Sequence, residues 1–252
     1  CALYLLFYRM IVFQCRYARD RFWGGNLLTW LGKGTVVPLG CEEFPVVGED
    51  VPTGIRELGL EAVARDRSLF KIVYLALIRP GKMHVWLVEA AAPFLRRHPE
   101  ARLILCGKEF SQEVAAQLRG EVGKLGLGGQ VIIPGQVPRN EVPWLLQHMN
   151  CAVVPSRAET FGHNFLEPMF AGLPVVGTRV GVGRDIIREG ETGRFIDLGD
   201  KAGVADALEG MIADPAKTAR MGANAKALVE KAYLHAHVAQ QLTALYERLL
   251  GE

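Results

Sequence analysis

Cys151-Ala-Val-Val154, then Pro155-Ser-Arg-Ala-Glu159-Thr-Phe-Gly-His-Asn-Phe-Leu-Glu167, then Pro168-Met-Phe-Ala-Gly-Leu-Pro174-Val-Val176, reads as a strand, a turn, a helix and a second strand. The two apolar ends show no alternation of polar residues, which marks strands buried on both faces. The helix starts near Gly162 or His163, so its first-turn amides lie just beyond the carboxyl end of a strand. Glu159 stands before that start and Glu167 about a turn and a half inside. Seven residues separate the two carboxylates.

The same pattern extends outward on both sides. Phe70 to Ala76, Arg102 to Cys106 and Gln130 to Ile133 are apolar runs before it, and Pro174 to Thr178 and Gly193 to Ile196 are runs after it. Helical spacing fills the intervals: Val85 to Arg97, a helix capped by Ser111 and running to about Lys124, and one capped by Asn140. Strands alternating with helices predict an α/β fold, a Rossmann-like doubly wound parallel sheet. Ligands of such sheets bind beyond the carboxyl ends of the strands, so chemistry is sought at residues 77–82, 107–110, 134–138, 155–162 and 179–184.

Three C-terminal helices follow: Val204 to Ile212, Ala216 to Lys231 after the Asp214-Pro215 break, and Ala236 to Leu250. The first part of the chain differs. Met10 to Phe13 reads as a strand, Arg16 to Trp23 as a short helix, and Thr35 to Gly40 as a strand leading into a linker. We place a boundary near Phe44, with residues 1–44 as the remnant of a preceding domain plus linker, and residues 45–252 as one domain. Cys1 at the start reads as a truncation, and the torn edge predicts exposed apolar side chains on residues 1–30 and on the last helix.

Half of the 252 residues are hydrophobic and 22% are charged, as expected of a packed globular core. A formal net charge of +2, without a run of like charges, argues against a nucleic-acid surface. The apolar stretch of residues 1–15 is interrupted by Arg9 and Gln14 and is too short for a membrane span. It lacks the basic leader and small-residue cleavage site of a signal peptide. Five cysteines without a CxxC pair read as small core residues of a reducing compartment, Cys106 and Cys151 most clearly. No His, Cys and Asp grouping has zinc spacing, and His235 and His237, two apart on a helix, face different ways.

Gly162 lets a ligand approach the backbone, and the free amides with the helix dipole favour an anion there. With a carboxylate on either side, this layout suits a sugar, a diphosphate and a ribose held in one cleft. Arg79-Pro-Gly-Lys82, after the first strand of the sheet, can clamp a diphosphate, or it can be an ordinary solvated loop. Pro134-Gly-Gln-Val-Pro138 can read a base edge or be a plain turn. Gly181-Val-Gly183 reads as a packing turn. His163 either contacts the sugar or supports those that do.

These residues resemble family 4 of the glycosyltransferases. Glu159 to Glu167 is similar to that family's E-x7-E signature, and Ala171-Gly-Leu-Pro-Val-Val176 to the string that follows it. Val180 to Ile187 and Gly190-Glu-Thr-Gly193 resemble its glycine turn and next strand. Val36-Val-Pro-Leu-Gly40, with Glu42 and Phe44, resembles the linker, and Ile11 to Phe22 the end of the acceptor domain.

The resemblance implies the C-terminal, donor-binding half of a GT-B fold. It implies a retaining hexosyltransferase that uses a UDP- or GDP-linked sugar, without a metal, in glycan, glycolipid or polysaccharide synthesis. Glu159 would contact the transferred sugar. Thr160, Phe161 and Gly162 would offer backbone groups to sugar and diphosphate, with His163 and Gly107 beside the donor. Glu167 would hold the ribose hydroxyls, Val137 the base, and Lys82 and Arg79 the diphosphate. The acceptor would be a sugar, lipid or glycan, and the location the cytoplasm, with membrane contact through the N-terminal domain.

Five positions depart from the family pattern. Ala76, Leu77 and Ile78 stand where Gly-Arg-Leu is usual, so Lys82 is the firmer assignment than Arg79, and His163-Asn164 replaces an apolar pair. Most of the acceptor domain is missing, which leaves open whether the chain alone transfers sugar. Two rival readings stand beside this one. The first is a non-catalytic nucleotide-sugar-binding module completed by a separate acceptor chain. The second is a sugar epimerase of similar fold, which needs a different placement of acid and histidine.

Overall fold

The computed structural model describes residues 10–22, 25–45 and 47–251. The readings that touch residues 1–9 and Trp23 lie outside them. The chain opens with β1 (Ile11–Phe13), α1 (Arg16–Arg21), α2 (Gly25–Trp30) and β2 (Gly34–Val36), and β1 and β2 pair in parallel. Residues 45–67, unassigned from composition, hold two short helices, α3 (Thr53–Glu57) and α4 (Glu61–Arg65), which bury Ile55 and Ala64.

The main sheet then begins with β3 (Phe70–Leu75), followed by α5 (His84–Arg97), β4 (Ala101–Cys106), α6 (Gln112–Lys124) and β5 (Val131–Gly135). A 3-10 turn at Arg139–Glu141 leads into α7 (Val142–Leu146). Next come β6 (Cys151–Val154), α8 (His163–Phe170), β7 (Val175–Gly177), α9 (Gly183–Ile186) and β8 (Gly193–Phe195). The chain closes with α10 (Lys201–Ala213), α11 (Pro215–Tyr233) and α12 (His235–Gly251).

Six parallel strands stand in the order β5-β4-β3-β6-β7-β8. The first half of the sheet winds one way from β3 and the second half the other way from β6. Right-handed crossovers then place the helices of the two halves on opposite faces. On one side α5 packs between α6 and α10, and on the other α8 packs against α11. The continuous apolar strands account for this: Ile72, Val73, Tyr74, Val153, Val175 and Val176 are all fully buried. Lys71 is the exception, and its ammonium donates to the Ala64 and Asp66 carbonyls at 2.7 and 2.8 Å, closing the end of α4.

Ser111 caps α6 as expected, its oxygen accepting from the Val114 amide. Asn140 does not cap a helix. It lies inside the 3-10 turn, where the Val142 amide is bonded to the Arg139 carbonyl and Pro143 has no amide to cap, while Glu141 beside it accepts from the Gly54 and Ile55 amides at 3.2 and 2.9 Å. The four cysteines among the described residues, Cys15, Cys41, Cys106 and Cys151, are free and buried.

The last helix turns back on the start of the chain. Val238 and Leu245 of α12 form a small second core with Val37, joined by Met10, Leu242 and Leu249. The two segments cross at Gly40, where an added Cβ would stand 2.2 Å from the His235 ring and 2.9 Å from its Cα. The apolar side chains expected at the surface are there: Phe22, Leu27, Trp30, Tyr246 and Leu250 are exposed.

Candidate functional site

β3 and β6 are neighbours at the point where the winding reverses, so the loops that leave their carboxyl ends run side by side. Lys82 comes from the first loop and Glu159 from the second, and the two form an ion pair with only 12% and 9% of their side chains exposed. Glu159 Oε1 also accepts from Ser156 Oγ at 2.6 Å and Asn164 Nδ2 at 3.2 Å. Three donors thus converge on one carboxylate oxygen. Oε2 receives none from the described residues and remains available to a ligand hydroxyl.

Gly162 starts α8 in the left-handed region at φ 100°, the conformation glycine adopts without a Cβ penalty. An added Cβ there would also meet the Phe165 ring at 3.0 Å. The Phe165 amide turns back to the Gly162 carbonyl, while the amides of His163 and Asn164 have no acceptor among the described residues. They and Glu159 are neighbours in one turn. Thr160 and Phe161 are held from behind: Cys15 Sγ donates to the Thr160 carbonyl at 3.3 Å and the Val182 amide to the Phe161 carbonyl at 2.6 Å. The turn at Gly181-Val-Gly183 has a packing reason, since a Cβ on Gly181 would meet the Phe161 oxygen at 2.2 Å. The His163 ring stands edge-on to Phe161, with centroids 5.1 Å apart.

Glu167 lies one turn further along α8. Burial pushes its carboxyl above the usual carboxylate range, and the nearby Arg139 and His163 pull only partly against this. Arg139 Nη1 donates to Glu167 Oε1 at 3.1 Å from a side chain that is 85% exposed. Gly107, Val137 and Glu167 line one hollow of about 170 Å³, together with Leu77, Lys108 and Gln136. Glu167 also lines an adjoining hollow of about 620 Å³, whose other wall is the linker from Cys41 to Pro45.

One of the sequence-named residues, Arg79, lines a hollow of its own, and Gly107, beside Glu167 in the smaller hollow, also has a packing role. Arg79 is exposed and lines a separate hollow with His84, Trp86, Glu113 and Arg157, away from Glu167. Gly107 gives its amide to the Gly135 carbonyl at 2.8 Å, and a Cβ on it would stand 1.8 Å from the Ala76 oxygen. Close approach of two strand ends therefore accounts for this glycine.

Four side chains near the site were not singled out from the sequence. Tyr74 and Ser156, both fully buried, stand beneath the Lys82–Glu159 pair. Asn164 was noted only as a departure. His84 is 1% exposed and its ring nitrogens make no well-formed hydrogen bond, so burial first, and Lys82 next, push its pKa down to about 4, with the Ala76 backbone pulling only partly against them. Tyr74, His84 and Asn164 lie in ordinary strand or helix register and Ser156 in the loop after β6, and only Asn164, inside the signature from Glu159 to Glu167, carried a signal in the sequence. Among the described residues no group of three or more His, Cys, Asp or Glu side chains is placed to hold a metal ion. No helix among them is long and apolar enough to cross a membrane.

The family model described as glycosyl transferases, group 1, matches residues 61–228, more than half of the chain. A D-inositol 3-phosphate glycosyltransferase of Acidothermus cellulolyticus is 32% identical over 207 residues, covering 77% of this chain and 46% of the relative. The lipopolysaccharide core biosynthesis mannosyltransferase LpcC of Rhizobium leguminosarum is 30% identical over 167 residues, covering 66% of this chain and 47% of the relative. The chain thus spans about half the length of these curated relatives. The crystal structure of Anabaena Alr3699/HepE in complex with UDP and glucose superposes with a TM-score of 0.81, covering 98% of this chain and 65% of that one. At 20% identity that likeness establishes the shared fold.

Proposed function

Because the chain belongs to the group 1 glycosyl transferases, we propose that it supplies the donor half of a retaining enzyme that moves a sugar from a nucleotide diphosphate to an acceptor. The observation that supports this reading most is the meeting of Lys82 and Glu159 beside the amides of His163 and Asn164, which have no acceptor among the described residues. A diphosphate needs a cation and amide donors, and a sugar needs a carboxylate for its hydroxyls. The carboxylate and the amides lie within one turn of the chain, and Lys82 reaches them from the neighbouring loop, at the winding reversal where parallel sheets bind ligands.

In this reading the nucleoside occupies the hollows along Glu167, with its ribose hydroxyls on the Glu167 carboxylate and its base beside Val137 and Gln136. The diphosphate draws Lys82 away from Glu159. Lys82 then meets the charge that grows on the leaving group as the glycosidic bond breaks, and the α8 amides add fixed dipoles. Glu159, released from its cation, turns Oε2 and Oε1 to the sugar, with Ser156 and Asn164 still orienting it. Retention then follows from attack on the face that the nucleotide leaves. We assign no metal to the reaction, since Lys82 and the amides take the part of a cation. The acceptor is a sugar, lipid or glycan bound opposite the carboxyl ends of the strands, and the setting is cytoplasmic. The structural relative crystallised with UDP and glucose supports a nucleotide-sugar donor.

Calorimetric titration with UDP, GDP and ADP tests the reading. Binding of one nucleotide in preference, weakened by Glu167→Ala and by Lys82→Ala, is the expected outcome. A folded protein that binds none of the three, or one whose binding ignores both substitutions, would overturn it.

A further inference from the structure

The two loops that supply Lys82 and Glu159 are tied together from below by two hydroxyl groups. Tyr74 belongs to β3 and Ser156 follows β6, and both are completely buried. The Tyr74 hydroxyl donates to the Lys82 carbonyl at 2.9 Å and stands 3.2 Å from Ser156 Oγ. Ser156 Oγ donates to Glu159 Oε1 at 2.6 Å. Burial first, and the Glu159 charge after it, raise the Tyr74 pKa well above its ordinary value despite the Ser156 contact, so the phenol keeps its proton.

Two hydroxyl protons serve three contacts. Ser156 spends its proton on the carboxylate, which is the strong, charge-assisted bond. The Tyr74 proton then has two acceptors, the Lys82 carbonyl and Ser156 Oγ, and can bond well to only one of them at a time. Directed to Ser156, it polarises that hydroxyl and strengthens its bond to Glu159. Directed to Lys82, it fixes the backbone from which the ammonium reaches out. We propose that Tyr74, acting with Ser156, is a positioning residue for sugar transfer, a buried joint that sets the separation of the Lys82 ammonium and the Glu159 carboxylate. This rests on the transferase reading above. Neither hydroxyl can touch a donor, because neither is exposed. They act only through the two groups that do. When Lys82 leaves Glu159 for a diphosphate, the joint keeps the carboxylate in place, with the Tyr74 proton free to follow either partner.

The experiment compares Tyr74→Phe, Ser156→Ala and the double variant in the intact protein. UDP-glucose and GDP-mannose are the donors, release of nucleotide is the activity, and UDP and GDP are the binding probes. The expected result is a kcat at least about tenfold lower in each single variant, with KM and nucleotide affinity within about threefold of wild type. The double variant should be little worse than either single one, since residues that act as a unit are not additive. Hydrogen exchange at residues 79–83 reads the joint without activity and should quicken in Tyr74→Phe. An active protein in which Tyr74→Phe leaves kcat unchanged overturns the joint while the transferase reading stands. Losses that multiply in the double variant and track a fall in Tm also overturn it, as they mark a purely structural role. A wild-type protein that binds no nucleotide and releases none overturns the transferase reading itself, and with it the catalytic meaning of the joint.

Discussion

Lys82 and Glu159 are bonded to each other across 77 residues of sequence, and each is the other's charged partner. The pair is nearly enclosed, so neither group can be removed without leaving the other buried and uncompensated. It is also self-cancelling. A ligand that brings its own anion and its own hydroxyls can replace both halves at once, and only a ligand with both can do so without loss.

That relationship predicts a difference between nucleotides. In Lys82→Ala the affinity for a nucleoside diphosphate should fall by about tenfold to a hundredfold, the range of a charge-assisted hydrogen bond. The corresponding nucleoside monophosphate should bind nearly as before if its single phosphate lies short of Lys82. Titration of UDP against UMP, or GDP against GMP, measures this. Equal losses for both would place Lys82 elsewhere on the nucleotide.

Glu167→Gln should separate binding from stability. Burial raises the Glu167 pKa in the folded chain, so the folded state holds its proton more tightly than the unfolded state does. Stability from this group therefore falls as pH rises from the ordinary carboxylate value to the raised one, and the penalty is complete above both. Glutamine carries no such charge. At about pH 7 the variant should melt at or above the wild-type temperature while nucleotide affinity drops. A variant that melts lower at pH 7 and higher in acid would reverse the sign.

Met83 is the single non-glycine residue in the left-handed region among the described residues, at φ 61°, directly after Lys82. A Cβ in that conformation costs about 1–2 kcal/mol. Met83→Gly should therefore be more stable than Met83→Ala by about 1 kcal/mol, the reverse of the order inside a helix. Both variants lose the side chain beyond Cβ and differ only in the Cβ, so urea midpoints read what that atom costs in this backbone conformation. An alanine variant as stable as the glycine one would show that the turn relaxes.

His98 joins the end of α5 to α10. Its Nε2 is 2.8 Å from Glu209 and its Nδ1 is 3.1 Å from Glu100. Burial draws its pKa down, but the bonds to Glu209 and Glu100 outweigh this and leave it raised. Only the imidazolium can donate at both nitrogens. The contribution is therefore full below the unfolded value of about 6.5 and disappears as pH rises through the folded value. His98→Gln should lower Tm at about pH 5.5 and barely change it at about pH 9. An equal loss at both would mean the contact is one of packing.

The sheet and its helices were legible because their causes are local. Continuous apolar runs of four to six residues, too short for helices and broken by Gly, Pro or a polar loop, read as strands buried on both faces, and the core at Ile72, Ile104, Val153 and Val176 agrees with them. Ser111 announced its own helix, because a cap acts within three residues. Asn140 did not cap, and the carboxylate next to it is claimed by amides 86 and 87 positions away. No local rule contains that competition.

The candidate site divides along the same line. The sequence by itself determined that Glu159, Gly162 and Glu167 stand at the start of a helix after a strand, since spacing along one short segment fixes this. It also determined which loops face the carboxyl ends of the sheet. Only the tertiary structure decided that Lys82 reaches Glu159 while Arg79 lines another hollow, that Gly107 is required by the Ala76 carbonyl, and that Tyr74 and Ser156 lie under both charges. Those relationships depend on β3 and β6 becoming neighbours. Strand order is set by how all the apolar faces are buried together, and no single stretch of sequence carries that information.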